Sequence, residues 1–309
     1  MAPGLGLGNS VTADPASTLF ASTPPLLDTY PNAHRAYSMR KLRTEYTGYA
    51  LKIREGSGMN YTADVAFDDD GWVSLDSKVY NRSDSGTNGV TLSSFLSGYS
   101  NPALLVTVWY DQSGEGVNAT QGTANAQPML SSGSGSLITE GSPARASLLF
   151  DGSNDYLFVD EAGLSMGSLT ATAVISHAST SASPVWSLSF SSGAYFVHYI
   201  GSGPEDQYWY DTGDVASHSA NTSQKLFSYT SGSGTDQQIL YSNGTPSSEK
   251  GDSSASASLH DYAHNGLGTI YTYSLFYNGE FQEYIVWDSD QRSNLSGIES
   301  EINTAYSIY

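Results

Sequence analysis

Residues 225–245 read KLFSYTSGSGTDQQILYSNGT, and this stretch decides the fold class. Two runs rich in aromatic and aliphatic residues, Lys225–Thr230 and Gln237–Ser242, are separated by a Ser/Gly loop and followed by Asn243-Gly244. An Asn-Gly pair suits the hairpin turns that need positive φ angles. The stretch therefore predicts two strands and the tip of a β-hairpin.

The same pattern recurs on both sides of this stretch. Short β-branched and aromatic runs alternate with turns rich in Gly, Ser, Asn and Asp, which is typical of an all-β sandwich or barrel. The remaining predicted strands are Tyr49–Arg54, Leu104–Tyr110, Ala146–Phe150, Leu169–His177, Val185–Phe190, Ala194–Ile200, Ile270–Phe276 and Phe281–Trp287.

Two segments break the pattern. Residues Ala33–Tyr46 place apolar side chains in a roughly helical rhythm, and Gly48 follows as a plausible stop. Near the C-terminus, Leu295, Ile298, Ile302 and Tyr306 recur at three- and four-residue spacing, with Asp288 or Ser289 available as a cap. The sequence therefore predicts a short helix near each end of the sandwich.

Charge and composition exclude several classes of function. The 309 residues include 12 Lys plus Arg and 31 Asp plus Glu, for a formal net charge of −19. Such a chain lacks the basic footprint that binds phosphates, so we expect no nucleic-acid partner. No apolar run approaches the roughly 18 residues of a membrane-spanning helix, so we expect no membrane partner. With no Cys, the chain has no disulfide, thiolate metal site or cysteine nucleophile.

The N-terminal residues 1–26 are rich in Gly, Pro, Ala, Ser and Thr and offer little to pack. They lack the basic and apolar regions of a secretory signal. We interpret them as an extended arm, which is either a disordered tail or a strap that orders against a partner subunit.

Six of the twelve basic residues fall between Arg35 and Arg54. In so acidic a chain this is a marked asymmetry. These bases either form a site for an acidic ligand or pair with the protein's own acids, such as Asp64 and Asp68–Asp70; we favour the second interpretation.

Two motifs carry a resemblance to a known family. The stretch AHRAYSMRKLRTEYTGYALKIREGS at 33–57 is followed by LLVTVWYDQSGEGVNATQ at 104–121. Together they resemble the N-terminal half of the catalytic domain of glycoside hydrolase family 54, the α-L-arabinofuranosidase B family. The family signature matches Tyr110–Gly114, Gly116, Thr120 and Gln121.

The same module also resembles a domain of tailed-phage virion proteins, in which it precedes a concanavalin A-like sandwich. The segments LLFDGSNDYLFV at 148–159, LTATAVISH at 169–177 and FYNGEFQEYIVWDSDQ at 276–291 stand in the usual order of laminin-G and concanavalin-type jelly rolls. The resemblance implies a β-sandwich from about residue 27 to the end.

The resemblance does not bring a full set of catalytic residues. Family 54 implies a Glu nucleophile and an Asp acid, the acid lying shortly before a segment that here reads Phe276–Gly279. No Asp or Glu lies between Asn265 and Leu275, and the family's vicinal cysteine pair is impossible here. Glu205 and Asp206 are the nearest candidates for the nucleophile.

Binding residues are a separate question from catalysis. Sugars present apolar faces that stack on aromatic rings and hydroxyl groups that pair with carboxylates and amides. The stretch Gln207–Asp211 offers such a mixture, so we take Glu205, Asp206, Tyr208, Trp209 and Asp211 as candidate ligand-binding residues. The alternative is that its side chains alternate between core and solvent.

Other acidic residues have ordinary structural explanations. Asp111 is expected to cap a turn by accepting backbone N–H bonds, and Glu283 to serve packing or hydrogen bonding. Asp151 and Asp155 fit either a turn or, through their oxygens, a Ca²⁺ site. The six His show no metal-ligand spacing.

These observations predict an all-β, concanavalin A-like antiparallel β-sandwich (jelly roll) over residues 27–309, with a short N-terminal and a C-terminal helix. We expect a phage virion protein, a capsid decoration or surface appendage at the particle surface. Its arm would bind other virion proteins or a second copy, and its sandwich would bind host-surface glycans without a required cofactor. The alternative is an α-L-arabinofuranosidase-like hydrolase.

Overall fold

The computed structural model describes residues 24–159, 164, 168–181, 183–189, 195–200, 205–210, 213–231, 234–247, 251–253, 265–269 and 275–309. Strands predominate among them. The helices are α1 (Leu26–Thr29), α2 (Leu92–Gly98) and α3 (Leu295–Tyr306), with a 3₁₀ turn at Ala124–Ala126.

The strands of the first half of the chain are β1 (Ala33–Ser38), β2 (Leu51–Glu55), β3 (Thr62–Val65), β4 (Lys78–Tyr80), β5 (Val90–Thr91), β6 (Ala103–Trp109), β7 (Ala119–Thr120), β8 (Met129–Ser132), β9 (Thr139–Glu140), β10 (Arg145–Ala146), β11 (Leu148–Asp151) and β12 (Leu157–Phe158). Those of the second half are β13 (Thr170–His177), β14 (Ser183–Ser189), β15 (Tyr195–Ile200), β16 (Glu205–Tyr210), β17 (Gly213–Ser219), β18 (Lys225–Thr230), β19 (Gly234–Ser242), β20 (Thr245–Pro246), β21 (Gly251–Ser253), β22 (Gly266–Leu267) and β23 (Asn278–Trp287).

The first layer is built around β23. β1 and β11 pair with successive parts of one edge of β23, and β13 pairs with its other edge. The layer continues from β13 through β18 to β19. Every pairing in this layer is antiparallel, as the sequence predicts.

The second layer runs from β5 through β4, β3, β2, β6, β7, β12, β22, β14, β15 and β16 to β17. Strand β8 bonds to both β6 and β11 and so joins the two layers. Ring contacts show the layers face to face: Trp186 on β14 lies 5.4 Å from Tyr284 on β23, and His198 on β15 lies 4.8 Å from Phe227 on β18. The molecule is therefore an antiparallel β-sandwich.

The first layer is buried on both faces. Tyr284 and Val286 of β23 point into the core between the sheets, while Ile285 and Trp287 point into an outer core beneath α1 and α3. All eight residues of β13 are buried for the same reason. Successive side chains of a strand point to opposite faces of the sheet, so neighbouring residues of β23 alternate between the two cores.

The predicted helix over Ala33–Tyr46 is wrong. Ala33–Ser38 form β1, in register with β23. Tyr37 lies in the inner core, whereas Ala33 and Ala36 lie in the outer core. A strand covered on both faces lacks the simple polar–apolar alternation, and short apolar runs of this kind are read easily as helix. The short N-terminal helix is α1 instead.

Other local predictions are confirmed. The hairpin β19–β20 turns at Asn243-Gly244, which have φ of 51° and 74°. The C-terminal helix is α3, although it begins after Asn294, so Asp288 and Ser289 do not cap it. Most of the predicted strand Ile270–Phe276 lies outside the described residues.

The N-terminal arm is described only from Pro24, since residues 1–23 lie outside the described ranges. Within the segment assigned to the arm, Leu26 already starts α1 and is fully buried in the outer core. Among the described residues, no helix has the length and apolar character of a membrane-spanning segment.

Candidate functional site

The residues predicted to bind a ligand map to one strand of the second layer. Glu205, Asp206, Tyr208 and Trp209 lie on β16, and Asp211 lies outside the described residues. β16 pairs with β15 on one edge and β17 on the other, with Tyr208 opposite buried His198. The ligand role of the five side chains stays a prediction.

The segment that, by the family resemblance, should contain the catalytic acid ends at Phe276–Gly279. Residues 275–279 are described by the structure, whereas residues 270–274 lie outside the described ranges. The Tyr277 hydroxyl donates to the Ser176 carbonyl at 2.7 Å and lies 3.0 Å from Nδ1 of His177. A Cβ at Gly279 would overlap the same Ser176 carbonyl. The segment Phe276–Gly279 is thus held closely against β13 by packing and hydrogen bonds.

The loop opposite this segment has the predicted turn role. The Asp151 carboxylate accepts from the N–H groups of Ser153 at 2.8 Å and Asn154 at 3.3 Å. Asp155 is 4% exposed and accepts from the Asp151 N–H at 3.1 Å. Burial, followed by the charge of Asp151, raises the pKa of Asp155 to about 7. Across the described ranges, no three acidic or His side chains are grouped to hold a metal ion. The alternative Ca²⁺ role of Asp151 and Asp155 stays a prediction.

The Asp111 carboxylate has the predicted capping role and reaches further. Oδ1 accepts from the N–H groups of Ala36 at 3.0 Å and Ser113 at 2.9 Å. Oδ2 accepts from the N–H groups of Gly116 at 2.9 Å and Val117 at 3.2 Å, and from the Ser113 hydroxyl at 2.6 Å. The motif that carries the family resemblance therefore anchors its own loop to β1.

Neighbouring residues extend this anchor. The Gln112 side chain accepts from the Leu42 N–H at 2.8 Å and donates to the Arg40 carbonyl at 3.0 Å. The Tyr110 hydroxyl donates to Asp64 at 2.7 Å. The motif thus fixes the segment after β1, and its residues serve folding.

Two of the basic residues between Arg35 and Arg54, Lys52 and Arg40, form ion pairs with the protein's own acids. Lys52 lies 3.8 Å from Asp64, as expected. Arg40 pairs with Glu283 through contacts of 2.8 and 3.1 Å, and both side chains are buried. These two ion pairs, within the described part of the chain, do not involve Asp68–Asp70, contrary to the expectation.

The expected hydrogen-bonding role of Glu283 is confirmed. Its Oε2 also accepts from the Ser38 hydroxyl at 2.7 Å and from the Tyr306 hydroxyl at 3.3 Å. The carboxylate therefore connects β23 with the end of β1 and with α3. A buried ion pair needs such additional hydrogen bonds to offset its desolvation.

A groove that the sequence did not indicate lies beside this ion pair. It consists of two adjoining cavities, of about 630 and 440 Å³, which share Asp70 and Trp72 as lining residues. We call it the Trp72 groove. Its walls come from several separate segments of the chain: residues 40–44 after β1, the loop at 68–76, the segment 136–146 and helix α3.

Trp72 is held firmly at the junction of the two cavities. Asp68 accepts from the Trp72 N–H at 2.8 Å, and Gly71, with φ of 80°, closes the turn between them. The Arg145 guanidinium lies 4.1 Å from the centre of the indole ring, and the Tyr306 ring meets it edge-on at 5.3 Å. The aromatic surface is therefore in place before any ligand binds.

Acidic and basic side chains both border the groove. Burial raises the pKa of Glu301 to about 7, against the lowering effect of Arg40. The buried Oε1 of Glu301 and Nε of Arg145 have no hydrogen-bond partner among the described residues. The indole ring, together with the exposed Asp69 and Asp70 and the half-buried Lys41 in the same lining, suits a polar ligand with apolar faces.

Comparison with known proteins finds similarity at the level of the fold. No protein-family model and no curated protein matches the sequence. The solved structures of similar fold include a GH54 α-L-arabinofuranosidase soaked with a cyclic sulfate inhibitor (TM-score 0.63), a mutant GH54 α-L-arabinofuranosidase soaked with 4-nitrophenyl α-L-arabinofuranoside (0.64), and an arabinofuranosidase complexed with arabinofuranosyl-α-1,2-xylobiose (0.62).

Each of these structures is 14% identical to the chain and covers 91% of it. The chain in turn spans 64% of the length of each. At this identity the likeness establishes a shared β-sandwich fold, and it leaves the activity to be argued from the site.

Proposed function

We propose that this chain is a carbohydrate-binding protein built on a glycosidase-type β-sandwich. The observation that carries the proposal is the likeness of 91% of the chain to three arabinofuranosidase structures, one of them soaked with an arabinofuranoside and one complexed with an arabinofuranosyl oligosaccharide. Strand β16 supplies a mixture of carboxylates and aromatic residues suited to sugars.

Binding is favoured over hydrolysis on chemical grounds. Glycoside hydrolysis generally needs two carboxyl groups on either side of the scissile bond. The sequence has no Asp or Glu between Asn265 and Leu275, where the family resemblance puts the acid. The second candidate function, arabinofuranoside hydrolysis, is favoured by the fold likeness and would use Glu205 or Asp206 as nucleophile.

Two assays on the purified chain separate these functions. We expect binding to at least one saccharide on a glycan array, reduced by Trp209→Ala, and no turnover of 4-nitrophenyl α-L-arabinofuranoside. Turnover that is lost in Glu205→Ala or Asp206→Ala would establish the hydrolase instead. A chain that neither binds nor hydrolyses any saccharide would refute the proposal.

The location of the protein is a separate proposal that rests on the sequence resemblance alone. We place it at the surface of a phage particle, attached through residues 1–26 to other virion proteins or to a second copy. Mass spectrometry of purified virions should detect the chain, and deletion of residues 1–23 should release it while circular dichroism shows an intact sandwich. Absence of the chain from particles would exclude this location.

A further inference from the structure

We propose that the Trp72 groove is a second saccharide site, separate from β16 and specific for neutral sugars. The inference extends the proposed carbohydrate-binding function to a place that the family resemblance does not suggest. The groove borders α3 and the outer core, whereas β16 belongs to the second layer.

The size and rigidity of the groove suit a small saccharide. Its two cavities, about 630 and 440 Å³, fall within the range of roughly 300–1,000 Å³ typical of small-molecule pockets. Trp72 lines both cavities, and Arg145, Tyr306 and Asp68 fix it in position. A preformed aromatic wall lowers the entropy that ligand binding costs.

The hydrogen-bonding groups favour a ligand that both donates and accepts. The accessible lining supplies both: Asp69 and Asp70 are exposed and their carboxylates accept, and the half-buried Lys41 offers an ammonium group that donates. A sugar hydroxyl can donate to a carboxylate and can also accept from an ammonium group.

The charge of the lining argues against ionic ligands. The walls carry Asp68, Asp69, Asp70, Asp76 and Glu301, which disfavour an anion. A cation would meet three basic residues in the same walls: Arg40, Lys41 and Arg145. No three acids in the described ranges are grouped for a metal ion. A neutral polyhydroxyl compound is the class of ligand that can hydrogen-bond to both the acidic and the basic side chains of the lining.

The test follows the indole signals of the full-length protein in ¹H–¹⁵N NMR spectra. The chain has five Trp, so the Trp72 signal, assigned with Trp72→Phe, reports on the groove while the Trp209 signal reports on β16. The probes are xylobiose, arabinofuranosyl-xylobiose, galactose and N-acetylglucosamine, each titrated to millimolar concentration. We expect at least one neutral probe to shift the Trp72 signal saturably.

Two variants on α3 give a matched comparison. Thr304→Trp fills the cavity from an exposed position that lines it, and should weaken the Trp72 response by at least about tenfold. Ser296→Trp adds the same ring at an exposed position of the same helix outside the groove and should leave the response unchanged. An equal response in Thr304→Trp and in the parent protein would overturn the proposal.

The two signals also separate this inference from the proposed function. If every probe that binds shifts Trp209 alone, the groove site is refuted and carbohydrate binding at β16 stands. A probe that shifts Trp72 alone supports the groove site. If no probe shifts Trp72 while the glycan array identifies a ligand, titration with that ligand decides, and a silent Trp72 signal again refutes the groove.

Discussion

The Asp111 anchor gives a prediction whose size follows from the contacts. In Asp111→Asn the amide oxygen can still accept from Ala36 and Ser113 N–H. The NH₂ group replaces Oδ2 and cannot accept from Gly116, Val117 or the Ser113 hydroxyl. Hydrogen bonds to a charged group contribute about 1.5–3 kcal/mol each, and water reaches the exposed Gly116 and recovers part of the loss. We expect the free energy of unfolding to fall by about 2–4 kcal/mol.

Such a loss is measurable because folded domains are stable by only about 5–15 kcal/mol. The assay is equilibrium unfolding in urea followed by Trp fluorescence. Glu115→Gln is the matched control: it removes one charge at an exposed position of the same loop and should change stability by less than about 0.5 kcal/mol. If Asp111→Asn is as mild as this control, the anchoring role of the motif is wrong.

Three further predictions concern single residues. The pKa of Asp155 is about 7 in the folded protein, against an ordinary value of 3.8, so this carboxyl lowers the stability of the parent protein as pH rises between these values. Above pH 7, Asp155→Asn should therefore be more stable than the parent by about 1–2 kcal/mol, because solvent around the exposed loop screens part of the penalty. Near pH 4 the variant should show no gain, and urea titrations at both pH values measure the difference. Arg40→Met leaves Glu283 buried without its ion-pair partner and should lower the free energy of unfolding by about 3–5 kcal/mol in the same assay. A decrease of less than about 1 kcal/mol would be inconsistent with a buried ion pair. Gly244→Ala forces Ala to a φ of 74° and should lower the free energy of unfolding by about 1–2 kcal/mol; unchanged thermal denaturation would contradict that turn geometry.

Local signals explain which parts of the fold could be predicted. Lys225–Thr230 is a strand with the predicted bounds, and Asn243-Gly244 forms the predicted turn, because turn residues and strand composition act over a few residues. Asp111 caps its turn as expected for the same reason. The β-sandwich follows from the repetition of these local signals along the chain.

Tertiary packing explains why the other structural features could not be predicted from the sequence. The sequence of β1 favours a helix because its two faces are covered by different cores, which only the packing of α1 and α3 reveals. Arg40 pairs with Glu283, 243 positions away, and not with Asp68–Asp70 nearby in the chain. Trp72, Arg145 and Glu301 form one groove from three distant segments, and no spacing in the sequence links them.

The proposed binding of carbohydrate by this β-sandwich can be measured on a glycan array probed with the purified chain, residues 1–309. We expect saturable binding to at least one saccharide class, abolished by the free sugar and by heat unfolding of the protein. Binding to no saccharide above the level of the unfolded chain would contradict it.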